Sequence, residues 1–133
     1  MARKKCSFIA KTNSLLQEFG NVPKEVFLKL MSSTAMTLYG SNLWNLFSKD
    51  CERIYTAYNV ALRNILKIDR RTHRFLLEPL SESLHLQTIL LSKFVTFHNT
   101  LITSKKFPVR FLARVLENDL RSVHGQNLSK IAL

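Results

Sequence analysis

The acidic side chains are the first candidates for catalytic chemistry. Phosphoryl transfer and metal-assisted hydrolysis need two or more carboxylates that converge on a divalent cation. The three aspartates stand alone in the sequence: Asp50, Asp69 and Asp119. Glu78 and Glu82 are four positions apart, but Pro79 lies between them and works against a shared helical face. We therefore expect no catalytic carboxylate pair.

The histidines and cysteines are too widely spaced for a local metal site. The four histidines are His73, His85, His98 and His124, and none of them forms a His-x-x-x-His pair. We expect each histidine at the surface or at an interface. Cys6 and Cys51 form no Cys-x-x-Cys motif, which indicates neither a disulfide framework nor a zinc site. We expect both cysteines to be reduced and partly buried, and we expect no cofactor.

A cluster of cations between residues 63 and 74 has the spacing of a binding site. It consists of Arg63, Lys67, Arg70, Arg71 and Arg74, with the single acid Asp69. Continuous helical spacing would place all of these cations except Arg71 on one side, away from the apolar stripe of the helix. Cations at this pitch follow successive backbone phosphates and bind them without reading base sequence. The alternative is a solvated helix face that binds nothing.

Aromatic side chains flank this cluster and offer surfaces for stacking on an unpaired base or a sugar. Tyr55 and Tyr58 lie one or two turns before it, and Phe75 directly follows Arg74. Tyr58 belongs to the apolar stripe, which predicts a core position. Tyr55 and Phe75 are therefore the two candidate stacking residues.

The overall charge favours a polyanionic partner. Twenty Lys and Arg residues oppose nine Asp and Glu residues, which gives a formal net charge of +11. The cations are spread along the whole chain rather than along one amphipathic stretch, and this favours nucleic acid over a membrane surface. A soluble basic domain without a specific anion is the alternative.

The apolar pattern predicts an all-α protein, a small irregular bundle of about five helices in a single domain. With three Gly and three Pro residues, the chain lacks the turns that a β-sandwich needs. Apolar residues recur at three- and four-residue steps in five segments: 3–19, 23–40, 48–68, 81–106 and 108–120. The polar sequence from Arg121 onward predicts a frayed tail. The charge-free run from Leu30 to Ser48 is too rich in polar residues to indicate a membrane span.

Several strings along the chain resemble one known family. Residues 38–44 read Leu-Tyr-Gly-Ser-Asn-Leu-Trp, residues 71–77 read Arg-Thr-His-Arg-Phe-Leu-Leu, and residues 121–127 read Arg-Ser-Val-His-Gly-Gln-Asn. In this order they resemble the region after the palm domain in reverse transcriptases (RNA-directed DNA polymerases) of non-LTR, LINE-type retrotransposons. The resemblance implies that residues 20–80 form the helical thumb, which grips primer and template. Residues 1–19 would be an N-terminal helix and residues 81–133 a post-thumb extension.

Two departures from that family shape the functional expectation. The Phe/Tyr-x-Asp-Asp motif of the palm is missing, and Tyr58 stands where the family usually has Trp. We therefore expect a truncated copy without catalysis that binds RNA or an RNA-DNA duplex through phosphate contacts. The alternative is a helical protein-interaction module that docks through an exposed apolar face in residues 22–44. We expect an intracellular protein, nuclear or cytoplasmic. The acid-poor start would also suit a mitochondrial presequence, but it continues into an apolar helical pattern.

Overall fold

The computed structural model describes residues 2–19, 21–34, 40–82 and 84–131. Within these residues the protein is all-α, as predicted, and contains no strand. The described ranges contain seven α-helices rather than about five: α1 (Ala2–Phe19), α2 (Lys24–Thr34), α3 (Lys49–Leu66), α4 (Leu77–Ser81), α5 (Leu86–Ile102), α6 (Phe107–Asn118) and α7 (Val123–Ile131). Short 3-10 helices occur at Ser41–Leu43 and Arg74–Leu76. No helix in the described ranges is both long enough and apolar enough to span a bilayer.

The helix limits follow local signals. α2 begins directly after Pro23, and Pro108 lies in the first turn of α6, where a missing N–H costs nothing. α3 ends at Leu66 because Lys67 adopts a left-handed conformation with φ of 54°. Glu82 is also left-handed, with φ of 52°, so α4 and α5 are separate helices. The predicted continuous helix from Ser81 is wrong for this reason. The expected continuation of α2 to Gly40 falls on residues 35–39, outside the described ranges.

The contacts divide the chain into two compact units. Unit 1 spans residues 1–39 and 49–86 and contains α1 to α4. Its buried apolar side chains come from every one of these helices: Phe8, Phe27, Met31, Ile54, Tyr58, Leu62 and Leu77. The Phe8 and Tyr58 rings lie 6.4 Å apart, centroid to centroid. The predicted apolar stripe of α3, including the core position of Tyr58, is thus confirmed.

Unit 2 spans residues 40–48 and 87–133 and contains most of α5 together with α6 and α7. Its loop at 44–46 is bonded to α7 through Asn127, which is fully buried. The Leu46 N–H donates to Asn127 Oδ1 at 3.1 Å, and Asn127 Nδ2 donates to the Trp44 carbonyl oxygen at 2.8 Å. Two of the strings that carry the family resemblance therefore meet in space.

The expected fraying after Arg121 is wrong, because this segment forms α7. Ser122 caps the helix: its hydroxyl accepts a hydrogen bond from the Gly125 N–H at 3.0 Å. Gly125 is buried, and its missing side chain lets the helix approach the Asp119 turn closely. The sequence is polar here because its polar groups make caps and buried hydrogen bonds.

Candidate nucleic-acid interface

The predicted cations lie at and after the end of α3 rather than along one helix. Because the helix ends at Leu66, Lys67 begins a turn, Arg70 and Arg71 lie within it, and Arg74 starts the second 3-10 helix. The expected one-sided helical row of cations is therefore wrong. Lys67, Arg70, Arg71 and Arg74 instead occupy a compact connection, residues 67–74, which we call the cationic loop.

Arg63 has a different role from the other four cations. Its guanidinium donates two hydrogen bonds to the Thr72 carbonyl oxygen, from Nε at 3.0 Å and from Nη2 at 2.7 Å. Arg63 is half-buried, and these bonds tie the far end of the cationic loop back to the last turns of α3. Arg63 therefore positions the loop, while the remaining four cations face solvent.

The single acid of the loop supports its turn. Asp69 Oδ1 accepts a hydrogen bond from the Arg71 N–H at 2.7 Å, and the Asp69 carbonyl oxygen accepts one from the Thr72 N–H at 3.0 Å. Among the described residues, the ion pair that forms lies outside the loop: it joins Arg53 Nη1 and Asp50 Oδ1 at 3.6 Å. The four cations of the loop are thus exposed and unpaired within the part of the chain that the structure describes.

The two candidate stacking residues have opposite environments. Phe75 is 69% exposed at the end of the loop, and its ring lies 5.5 Å from that of His73. Tyr55 is only 6% exposed and packs edge-on against His85, with ring centroids 6.1 Å apart. Burial, with Cys51 as neighbour, raises the pKa of Tyr55 above its ordinary value. Stacking by Tyr55 is therefore excluded by its burial, and Phe75 is the aromatic surface of the site.

His85 lies close to the cationic loop, and its charge state bears on the electrostatics there. The pKa of His85 is lowered from 6.5 by burial and by the nearby Arg74 guanidinium, with Glu78 acting in the opposite direction. The His85 backbone N–H donates to Glu78 Oε1 at 2.8 Å. His85 is consequently uncharged at neutral pH and adds no positive charge beside the cationic loop.

The remaining titratable side chains form no obvious metal centre. Within the described ranges, no group of three or more His, Cys, Asp or Glu residues could hold a metal ion. Cys51 is buried but Cys6 is exposed, so the expected partial burial is wrong for both. His98 is buried and hydrogen-bonded to His124, with 3.0 Å between Nδ1 and Nε2, so the expectation of a surface histidine is wrong for His98.

The predicted docking segment, residues 22–44, is partly buried and partly exposed where it is described. Phe27 and Met31 are buried, whereas Val26 and Leu43 are exposed. The side chains of residues 32–39 lie outside the description. In the described part of the chain, a larger exposed apolar surface lies on α6, for which the apolar spacing predicted only a helix.

A cleft of about 640 Å³ lies between α1 and α3 within unit 1. Phe8, Leu16 and Val60 contribute to its walls. Thr12 is a buried polar side chain there, and its hydroxyl already donates to the Phe8 carbonyl oxygen at 2.9 Å. Polar side chains such as Asn13, Glu52 and Asn64 also line the cleft, so its walls are mixed.

No protein-family model, curated protein or solved structure matches this chain.

Proposed function

We propose that this chain is a non-catalytic nucleic-acid-binding module of the reverse-transcriptase thumb type. It holds RNA or an RNA-DNA duplex by its phosphates through the cationic loop. The observation that carries the proposal is the exposure of four unpaired cations within eight residues, on a turn that Arg63 and Asp69 hold in place.

The chemistry of these side chains suits phosphates. The guanidinium groups of Arg70, Arg71 and Arg74 each present a planar fork of donors that matches two phosphate oxygens. Because phosphates repeat along any nucleic acid, the binding has little sequence preference. Phe75 follows Arg74 directly and offers an exposed ring for a base or sugar at a duplex end.

The resemblance to LINE-type reverse transcriptases supports the same assignment. In that family the thumb grips primer and template, and the cationic loop falls within residues 20–80, which resemble the thumb. In this proposal the chain binds nucleic acid but does not catalyse polymerisation, because its sequence lacks the paired aspartates of the palm.

A salt titration tests the proposal. Binding of a fluorescein-labelled RNA-DNA duplex is followed by fluorescence anisotropy for the native protein and for the triple variant Arg70→Gln, Arg71→Gln, Arg74→Gln. Each phosphate contact contributes roughly 0.9 to the slope of log affinity against log salt for B-form DNA, and about 0.7 for single strands. We expect the triple variant to flatten the slope by about 2 to 3 and to weaken binding equally for all sequences.

The matched control removes the same charge elsewhere. Lys11, Lys29 and Lys93 are exposed and lie outside the cationic loop. Their simultaneous replacement by Gln should change the slope by less than about 1, because these residues make no local phosphate contacts in the proposal. Equal slopes for both triple variants would mean that only net charge matters. An unchanged slope in the loop variant would favour the protein-docking alternative.

Arg63 provides a second, independent test. Arg63→Lys keeps the positive charge but cannot make both hydrogen bonds to the Thr72 carbonyl oxygen. If Arg63 positions the loop, this variant binds more weakly with an unchanged salt slope. Native affinity in Arg63→Lys would show that the two hydrogen bonds are irrelevant to binding.

A further inference from the structure

The outward face of α6 is apolar over its whole length. Phe107, Phe111 and Val115 follow one another at intervals of one turn, and Leu112 lies beside them. Phe107 is 65% and Phe111 59% exposed, and Leu112 and Val115 are about as exposed. Ala113 faces inward and is buried. Four large apolar side chains of this helix thus point to solvent, whereas a surface helix usually turns its apolar residues toward the core.

The aromatic part of this face is ordered by its own contacts. The Phe107 and Phe111 rings stack with centroids 6.0 Å apart and an interplanar angle of 25°. The Arg110 guanidinium lies 6.0 Å from the Phe107 centroid, and its Nη1 donates to the Ser104 carbonyl oxygen at 3.2 Å. These contacts restrict the rings before any partner arrives, which lowers the entropy lost on binding.

The patch is large enough for a partner but small for a permanent interface. A fully exposed aromatic side chain presents roughly 200 Å², so the two Phe rings with Leu112 and Val115 expose on the order of 400 Å². This is comparable to the largest patches on typical monomers, which are often functional. It is about half of what one side of a stable interface buries, and therefore indicates a transient complex.

The charges beside the patch define the partner. Arg110 and Arg114 each precede a residue of the aromatic and aliphatic row, and by helical periodicity both lie on the same flank of it. By the same periodicity, Glu117 lies beyond these two cations, so the cations separate it from the apolar row. Arg114 is exposed and makes no ion pair within the described residues. One edge of the patch is therefore cationic.

We propose that this face of α6 is a docking surface for an amphipathic helix of a partner protein that carries apolar residues on one face and carboxylates along one edge. The apolar row covers the partner's apolar face, and Arg110 and Arg114 pair with its acidic edge. A second copy of this chain fits poorly, because it would bring two cationic flanks together in a protein of net charge +11. A membrane-surface helix would carry cations on both flanks rather than on one.

A synthetic four-turn peptide tests the surface directly. The probe carries Leu on one face and Glu along one edge, and a control peptide has Lys in place of every Glu. Isothermal titration calorimetry with the full chain should give micromolar binding of the acidic peptide and at least tenfold weaker binding of the basic one. Phe111→Gln should weaken binding of the acidic peptide at least tenfold. Leu43→Gln, at an even more exposed apolar residue of the same unit, should leave that binding unchanged.

Charge reversal keeps the test independent of any effect on folding. Arg114→Glu should weaken binding of the acidic peptide and strengthen binding of the basic peptide. A misfolded variant would not strengthen binding of either peptide in this selective way. Absence of binding by the acidic peptide, or equal binding of both peptides, would overturn the proposal. Two other results would also overturn it: dimerisation in sedimentation velocity that Phe111→Gln abolishes, or binding to phosphatidylserine vesicles that the same variant abolishes. The test does not depend on the cationic loop, so it can fail while nucleic-acid binding stands.

Discussion

Replacing Asn127 by Ala removes the amide that joins α7 to the loop at 44–46. The native amide accepts from the Leu46 N–H and donates to the Trp44 carbonyl oxygen, and it is fully buried. Ala removes both of these hydrogen bonds at a position where the side chain is fully buried. An unsatisfied buried donor or acceptor costs about 1 to 3 kcal/mol, so we expect a loss of roughly 2 to 5 kcal/mol.

This loss is a large share of the stability of a protein of this size, which is typically about 5 to 15 kcal/mol. The measurement is urea unfolding followed by far-ultraviolet circular dichroism, together with hydrogen exchange of the Leu46 amide by NMR. The Leu46 N–H should exchange much faster in Asn127→Ala, because its acceptor is gone. The matched control is Asn118→Ala, since Asn118 is exposed and bonds only the Arg114 carbonyl oxygen within its own helix. We expect that control to change stability by less than about 0.5 kcal/mol.

The variant Asn127→Asp separates the two hydrogen bonds. Aspartate keeps the acceptor for the Leu46 N–H but places a buried carboxylate against the Trp44 carbonyl oxygen. We expect it to be as destabilising as Ala at neutral pH and less so in acid, where the protonated carboxyl group can donate again. The reasoning is refuted if Asn127→Ala costs less than about 1 kcal/mol while the Leu46 amide stays protected.

Two further predictions concern the same unit. Gly125→Ala should destabilise this unit by about 1 to 2 kcal/mol despite the helix preference of Ala. The added Cβ would lie 2.9 Å from the Leu116 carbonyl oxygen and closer still to the Asp119 carbonyl oxygen. An equal or higher midpoint of urea unfolding would contradict this prediction. The pKa of His124 is lowered by burial and by the adjacent His98, so the unfolded chain binds the proton more readily and stability should fall as pH drops below about 6.5. His124→Gln should flatten that dependence in urea titrations between about pH 5 and 8, and an unaltered pH profile would speak against it.

The helical class and much of the core were predictable from local patterns. The 3.6-residue stripe of α3 is a property of neighbouring residues, and it correctly placed Ile54, Tyr58 and Leu62 in the core. The limits set by Pro23 and Pro108 were predictable for the same reason. Phe75, which follows the basic cluster directly, is exposed; its role in stacking stays a prediction.

The predictions from sequence fail where the backbone conformation of one residue, or contacts with residues far away in the sequence, determine the structure. A left-handed residue such as Lys67 has no reliable signature in a non-glycine side chain, so a helix was extended through a turn. Ser122 is of a residue type that commonly caps helices, but the prediction for this segment considered only its polar composition after Arg121. Tyr55 had the right type and spacing for stacking, and only its burial against His85 removes it.

By itself, the sequence determined that the chain is helical, strongly basic, and cationic in the stretch from Arg63 to Arg74, because these properties depend on residue type and short-range periodicity. Tertiary structure decided which cations face solvent, since Arg63 is used to hold Thr72 whereas Arg70 and its neighbours are free to bind. It also decided that α6 turns its apolar row outward and that Asn127 bonds a loop some eighty residues away. Such pairings are set by which surfaces meet in three dimensions, and no local pattern encodes them.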